Sequence, residues 1–374
     1  MGFKWKICDV NNAWREWFDL KIVSLFSGIG GFELGIKKSK LKSEVVFSSE
    51  IDKYASAAYL ANFNDNNLKG DITKIDEKDV PDHDLLVGGF PCQSFSIAGK
   101  QKGFNDARGT LFFDVARILK EKKPKYFLLE NVKNLVAHDD GNTFKTIIKI
   151  LNEIGYVIDF TVINSSEAGL PQNRERTYIV GIFNGIKEKN NYDKRNNKID
   201  DLKKNFEYEG FDFFNTLSFN NPQKYIKDII ENNKEEKYLI SNDAVKKYLS
   251  DFSCVENKKC EKKIVKLFDL PREVWNDLER QRRVYSIYGI SPTILARSDT
   301  TKIYINTEEE KYIRKFTPRE NFRLQGFDDD FIDNIVKTVS MTQQYKEAGN
   351  AVSPPVITGI INHLIEFMEE EDGI

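Results

Sequence analysis

Short apolar runs alternate with helix-periodic stretches through the first half of this chain. Residues 22–26, 45–47, 85–87, 126–129, 157–163 and 178–183 each read as a buried strand. Between them, residues 52–63 place Tyr54, Ala58 and Ala61 along one helical face, and residues 111–122 and 143–153 are also helical. This β–α alternation predicts an α/β fold with a mostly parallel sheet covered on both faces. The pattern breaks near Phe183. Residues 184–205 are dense in Asn, Lys and Asp and read as a linker or surface loop. Residues 206–315 show no regular alternation, and a second domain is the simplest account. Order returns at Thr317-Pro318-Arg319-Glu320, where a proline sits in the first turn of a helix, and residues 355–368 form a last apolar-periodic helix.

A chain of 374 residues has room for two or three domain-sized units. No apolar run reaches the roughly 18 residues of a membrane span, and residues 1–20 lack the apolar core of a signal peptide. A cytoplasmic, monomeric protein away from membranes is expected. The four cysteines, Cys8, Cys92, Cys254 and Cys260, have no metal-ligand spacing, and there are only 3 histidines. Neither a metal site nor a disulfide framework is expected. The net charge of −2 argues weakly against nucleic acid as a partner. Its distribution is uneven, however. Between residues 258 and 283, nine Lys and Arg outnumber five acids, a local excess of four. Such a face holds phosphates, or is simply a solvated surface.

The chemistry concentrates at strand ends. Gly88-Gly89-Phe90-Pro91-Cys92-Gln93 stops the 85–87 strand and sets a thiol at the mouth of the sheet, where an α/β enzyme places a nucleophile. A loop over 93–109 follows, with Lys100, Lys102 and Arg108 suited to a phosphate backbone and glycines suited to a moving lid. Glu130 ends the next strand and is a candidate proton-handling partner. Phe26-Ser27-Gly28-Ile29-Gly30-Gly31-Phe32 follows the first strand, and Glu50 ends the second. Glycines permit a tight turn and a close ligand approach, and an acid at that place accepts from ribose hydroxyls. The spacing is not that of the usual dinucleotide fingerprint, so a purely structural turn stays open. Asp71 is placed to meet an adenine amino group. Arg174 and Arg176, two apart in an extended segment, point to one side and share one site. Gly349-Asn350-Ala351-Val352 reads as a close approach to a ligand before the last helix, or as a structural turn.

Together these segments resemble the bacterial DNA (cytosine-5)-methyltransferases. The resemblance rests on residues 26–32, 88–96, 99–104, 108–112, 130–132, 172–176, 318–320, 323–327 and 349–352, in that order. It implies a Rossmann-like, S-adenosylmethionine-dependent methyltransferase domain over 1–186 and 335–374, with a smaller irregular target-recognition domain over 187–334. Residues 187–315 carry little of the match. It implies Cys92 as the nucleophile toward C6 of a cytosine, Glu130 on N3, and Arg176 on O2 with Arg174 nearby. Phe90 and Pro91 would line the cytosine pocket. S-adenosylmethionine would lie against Phe26, Gly28, Gly30 and Gly31, with Glu50 on its ribose and Ile51 in contact. Asp71 and Ile72 would flank the adenine, and Asn350 and Val352 would close the methionine end. Gln93, Ser94, Lys100, Arg108 and Arg297 would meet double-stranded DNA. Thr293 and Leu295 resemble a short element of the recognition domain, with Arg282 and Arg283 nearby. No metal is implied, and a cognate restriction endonuclease is an implied partner.

Three rivals stand beside this reading. A tRNA cytosine methyltransferase shares the scaffold, but the long variable region favours duplex DNA. A non-catalytic nucleic-acid binder is disfavoured because every catalytic position is filled. A nucleotide-dependent oxidoreductase explains the glycine turn and Glu50 but not the Cys92 loop.

Overall fold

A computed structural model describes residues 20–63, 66–91, 111–188, 192–251, 258–297, 301–308 and 310–371. Eight strands form in its first half: β1 (Leu20–Leu25), β2 (Ser43–Ser49), β3 (Leu68–Lys69), β4 (Leu85–Gly89), β5 (Tyr126–Val132), β6 (Tyr156–Asn164), β7 (Gln172–Asn173) and β8 (Glu175–Phe183). All but β7 build one sheet in the order β3-β2-β1-β4-β5-β8-β6. Neighbours are parallel from β3 through β5, while β8 runs antiparallel to both β5 and β6. The expected mostly parallel sheet is thus present, with one reversed strand.

The alternation of side chains along each strand explains why the sheet is covered twice. Val23, Leu86, Phe127 and Leu129 point into one core, and Ile22, Leu85, Val87 and Leu128 into the other. The first core is roofed by α3 (Leu111–Lys122) and α4 (Asn142–Ile154), which follow α1 (Gly31–Lys37) and α2 (Lys53–Asn62) in the chain. α1 covers the second face, together with the C-terminal helix, through Val356, Ile360 and Leu364.

Packing does not change at residue 187. The expected linker over 184–205 contains a helix, α5 (Asn197–Asn205), capped by the Asn196 side chain. Its Lys203 is buried and donates to Asp159 on β6 at 2.7 Å, with Asp193 at 3.5 Å. The second Asp159 oxygen accepts from the backbone of Phe213 and Phe214. Phe211, Phe213, Phe214 and Leu217 then join the core under the C-terminal helix. The density of Asn, Lys and Asp hid this segment, because its polar side chains are paired internally rather than solvated.

Residues 206–315 also hold more order than the pattern predicted. α6 (Asp243–Asp251) and α7 (Glu279–Arg282) accompany β9 (Lys266–Asp269), β10 (Arg283–Ser286), β12 (Lys302–Asn306) and β13 (Lys311–Lys315). These four strands form a second sheet in the order β13-β12-β10-β9, with its own small core around Val245, Leu270, Val284 and Tyr304. The strands are four or five residues long, too short for alternation to stand out. The remaining strand, β11 (Ser291–Pro292), pairs with β7 instead, and so ties the second sheet's region to the first.

α8 (Pro318–Gln325) opens as expected, with Thr317 as cap and Glu320 closing the capping box. The Glu320 carboxylate also takes both terminal nitrogens of the buried Arg314, at 2.6 and 2.7 Å, which locks β13 to α8. α9 (Asp329–Thr338) and α10 (Met341–Asn350) follow, then α11 (Pro354–Glu371). Phe322, Ile332, Ile335 and Ala348 share a third core with Ile29, Leu34, Ala55 and Ala58 beside the first sheet, with Ile294 after β11, and with Ile303 of the second sheet. Gly349 and Asn350, expected in a turn, are the last residues of a helix. Among the described residues, no helix is long and apolar enough to cross a membrane.

Candidate active site

The sheet order reverses between β1 and β4, because the chain runs outward from β1 to β3 and then returns. A crevice opens at such a switch point, beyond the carboxyl ends of the strands. Phe26 to Gly31, Glu50 and Phe90 follow their strands at this edge, while Glu130, expected to end its strand, lies within β5 two residues before the last. The reversed β8 begins there, which brings Arg176 opposite Val132 and two places along from the Glu130–Tyr178 pair.

The turn after β1 passes through Phe26 (φ 55°) and Gly28 (φ 56°). A non-glycine residue at such an angle is uncommon and marks a constrained site. A Cβ on Gly28 would meet nothing within 4 Å, so the space above that backbone is open. A Cβ on Gly31 would fall 2.7 Å from Val352 Cγ1, so the start of α1 and the segment before α11 touch only because the residue is glycine. The resulting cleft is lined by Phe26, Gly28, Gly31, Glu130, Asn350 and Val352, together with Glu347 of α10. These sites come from both ends of the chain, and the structure brings them together.

Other expected cofactor residues take particular positions around it. Glu50 accepts from the backbone N–H of Gly28 at 2.9 Å and of Asp52 at 2.7 Å, and so braces the glycine turn. Ile51 stands 71 % exposed, an apolar side chain at the rim with little covering it. Asp71 caps a short turn through the backbone and hydroxyl of Thr73, which holds its carboxyl below the usual carboxylate range. Ile72 is 4 % exposed, its side chain belongs to the core, and its carbonyl accepts from Arg117 Nη2 at 2.7 Å.

The expected catalytic side chains that the structure describes sit on β5 and on or just before β8. Arg176 Nε lies 3.2 Å from Glu130 Oε1. Burial lifts the Glu130 carboxyl above its ordinary range, against the pull of Arg176 and Arg174. A carboxyl in that state can donate a hydrogen bond as well as accept one. Arg174 and Arg176 do not share one role. Arg174 is buried and donates through Nη2 to the carbonyls of Gly349 and Ala351, at 3.0 and 2.9 Å. Burial, then the neighbouring Arg176, push its guanidinium down to about 9. The break between β7 and β8 turns one arginine toward the C-terminal segment and leaves the other beside Glu130.

Phe90 is buried against Phe112, with ring centres 5.5 Å apart, while Pro91 is exposed. Cys92, Gln93, Ser94, Lys100 and Arg108 lie outside the described residues, as does the 93–109 loop.

A second, basic groove lies on the four-stranded sheet's side. Arg280, Arg283, Thr293, Leu295, Arg297 and Lys302 line it. Its floor is anchored to the active site: Thr293 Oγ1 donates to Asn173 O at 2.6 Å, and Ile294 N donates to Gln172 Oε1 at 3.1 Å. Among the described residues, no three His, Cys, Asp or Glu side chains gather as metal ligands.

The model of the C-5 cytosine-specific DNA methylase family matches residues 20–366. The chain belongs to that family. Its activity is methyl transfer to carbon 5 of cytosine in DNA. It is 44 % identical over 357 residues to the Type II methyltransferase M1.ScrFI of Lactococcus lactis subsp. cremoris, covering 95 % of this chain and 80 % of that protein. To the Type II methyltransferase M.SsoII of Shigella sonnei it is 42 % identical over 364 residues, covering 93 % and 81 %. A solved structure of a Spodoptera frugiperda DNMT2 mutant shares the fold, with a TM-score of 0.64 at 21 % identity over 92 % of this chain and 99 % of that one.

Two residues of this methylase escaped the sequence reading. Asn131 donates from Nδ2 to the Phe90 carbonyl at 2.6 Å, and so holds the end of β4 beside β5. Its place next to Glu130 was the available clue. Gln325 donates to Ala348 O at 2.8 Å and accepts from Ser353 Oγ at 2.8 Å, which fixes the segment that closes the cleft. Its motif, residues 323–327, carried part of the resemblance but suggested no role, because its partners lie 23 and 28 positions away.

Proposed function

We propose that this protein methylates one cytosine within a specific duplex DNA sequence, with S-adenosylmethionine as donor, as the modification half of a restriction-modification system. The observation that carries the reading is the Glu130–Arg176 pair, set beside an open glycine cradle at one crevice. The relatives named as Type II methyltransferases support the restriction-modification context. The residues present fit the donor. Gly28 leaves room for a ligand against its backbone, Glu50 is bonded to that backbone, Ile51 beside it is exposed, and Asn350 and Val352 line the cleft.

The target atom is out of reach in a stacked duplex, so the base is extruded at a cost of a few kcal/mol. Glu130, held toward its protonated form, donates to N3, while Arg176 neutralises charge that builds on O2. Cys92 adds as thiolate to C6, forming the Sγ–C6 bond as the C5–C6 double bond opens and C5 becomes enamine-like. S-adenosylmethionine, when bound, supplies an electrophilic methyl group to that carbon. Water takes the C5 proton, the double bond re-forms and the Sγ–C6 bond breaks, which restores the thiolate. Arg174 is a positioning residue, since its bonds go to the backbone that closes the cleft.

Target reading falls to the basic groove and its sheet, over residues 226–315, rather than to everything from 187. The 192–217 segment is committed to the methyl-transfer core through Asp159 and its phenylalanines. The test is methyl transfer to duplex DNA and, separately, to tRNA, with 5-fluorocytosine placed in the target site. A covalent adduct at Cys92 is expected on duplex DNA. An adduct at Cys8, Cys254 or Cys260, or turnover on tRNA alone, would overturn the reading.

A further inference from the structure

Glu347 is not one of the residues that the family resemblance assigns. It lies on α10 three positions before Asn350, hence on the same helical face, and it lines the cofactor cleft with Gly28 and Gly31. It is only 4 % exposed, and its Oε1 has no hydrogen-bond partner. The adjacent Lys346 does not supply one. Its ammonium is 3.9 Å from that oxygen and is bonded instead to Asp52, which its own helix cap holds in place.

A buried carboxyl without a donor is costly, and proteins seldom retain one without a use. The surroundings make the cost larger. Glu50 and Asp52 face it from the β2–α2 turn, Glu130 stands on the other wall, and Lys346 is the cation beside it. Burial first, then the negative charge of Asp52, push the Glu347 carboxyl up to about 7. The cleft therefore has an electronegative wall with one unused acceptor. A cation with N–H donors would relieve both defects at once. The donor's methionine part carries one such group, its α-ammonium. A charged donor on a carboxylate makes a strong, short hydrogen bond.

We propose that Glu347 binds the α-ammonium of the methionine part of S-adenosylmethionine and so sets which end of the cofactor lies against α10. This rests on the cofactor reading above. Glu347 would hold S-adenosylhomocysteine equally, because that product keeps the same ammonium and loses only the transferred methyl group and, with it, the sulfonium charge.

The experiment is calorimetric binding to the full chain, wild type against Glu347→Gln and Glu347→Met, with thermal melts to show that each variant folds. Three ligands are compared: S-adenosylmethionine, S-adenosylhomocysteine and 5′-methylthioadenosine, which lacks the amino-acid part. The expected result is a loss of roughly tenfold to a hundredfold for the first two and none for the third. Loss confined to S-adenosylmethionine would place Glu347 on the sulfonium and overturn the proposal. Equal loss for all three would make the residue structural, and no loss for any would remove it from the site; both overturn the proposal. Wild-type protein that binds none of the three would instead sink the cofactor reading itself.

Discussion

The crevice edge of the seven-stranded sheet and the groove beside the four-stranded sheet hold their polar groups in opposite ways. At the edge of the first, polar side chains are tied to backbone: Arg174 to two carbonyls, Glu50 to two N–H groups, Asn131 to the Phe90 carbonyl after β4. On the second, Arg280 and Arg297 stand exposed along a groove whose floor is fixed to Gln172 and Asn173. The contrast suits the two tasks proposed for them. Bond-making rewards dipoles fixed in advance in a low-dielectric site. Contact with phosphates and base edges rewards long side chains that adjust to a groove.

The comparison can be broken most severely at the nucleophile. Cys92→Ser is expected to remove turnover below detection while S-adenosylmethionine still binds, as measured by methyl transfer beside calorimetry. Full activity in that variant would falsify the covalent route. Glu130→Gln is expected to lower kcat by about 10²- to 10⁴-fold with little change in DNA binding. The pH profile sharpens this. Burial holds the Glu130 carboxyl above its ordinary range and, on the proposed mechanism, it acts while protonated, so wild-type kcat should fall as pH rises through that raised value. The Glu130→Gln variant should lack that falling limb, and an identical limb in both proteins would assign it elsewhere.

The enclosed character of the first sheet is tested by stability. Asp159→Ala leaves Lys203 buried without its 2.7 Å partner and should cost about 3–5 kcal/mol in denaturant unfolding. A cost near zero would detach residues 192–217 from the methyl-transfer core. The smallest effects belong to the groove. Arg280→Ala and Arg297→Ala should each reduce the slope of log K against log salt for duplex DNA by about 0.9. Cofactor affinity should stay as in wild type. An unchanged slope for both would move the DNA away from this groove.

How far the sequence reached depended on the range of the forces involved. Buried parallel strands are apolar on both faces, so β1, β4, β5 and β6 stand out against polar helices. The cap at Thr317 is a local hydrogen-bond pattern and was legible for the same reason. α5 was not, because Lys203 is apolar in environment and charged in sequence, and its partner Asp159 is 44 positions away. The second sheet was not, because its short strands borrow their core from α6.

By itself, the order of residues determined the α/β class, the strand ends at which chemistry would sit and, through its motifs, the family and its cofactor. Those depend on neighbours along the chain and on residue identity. Tertiary structure alone decided that Arg174 holds the cleft's backbone while Arg176 meets Glu130, that residues 192–217 serve the first sheet, and that Glu347 faces the cofactor cleft with an unpaired oxygen. Each of these is a contact between residues distant in sequence. Hydrogen bonding and burial are settled by what surrounds a side chain in space, and no local pattern carries that.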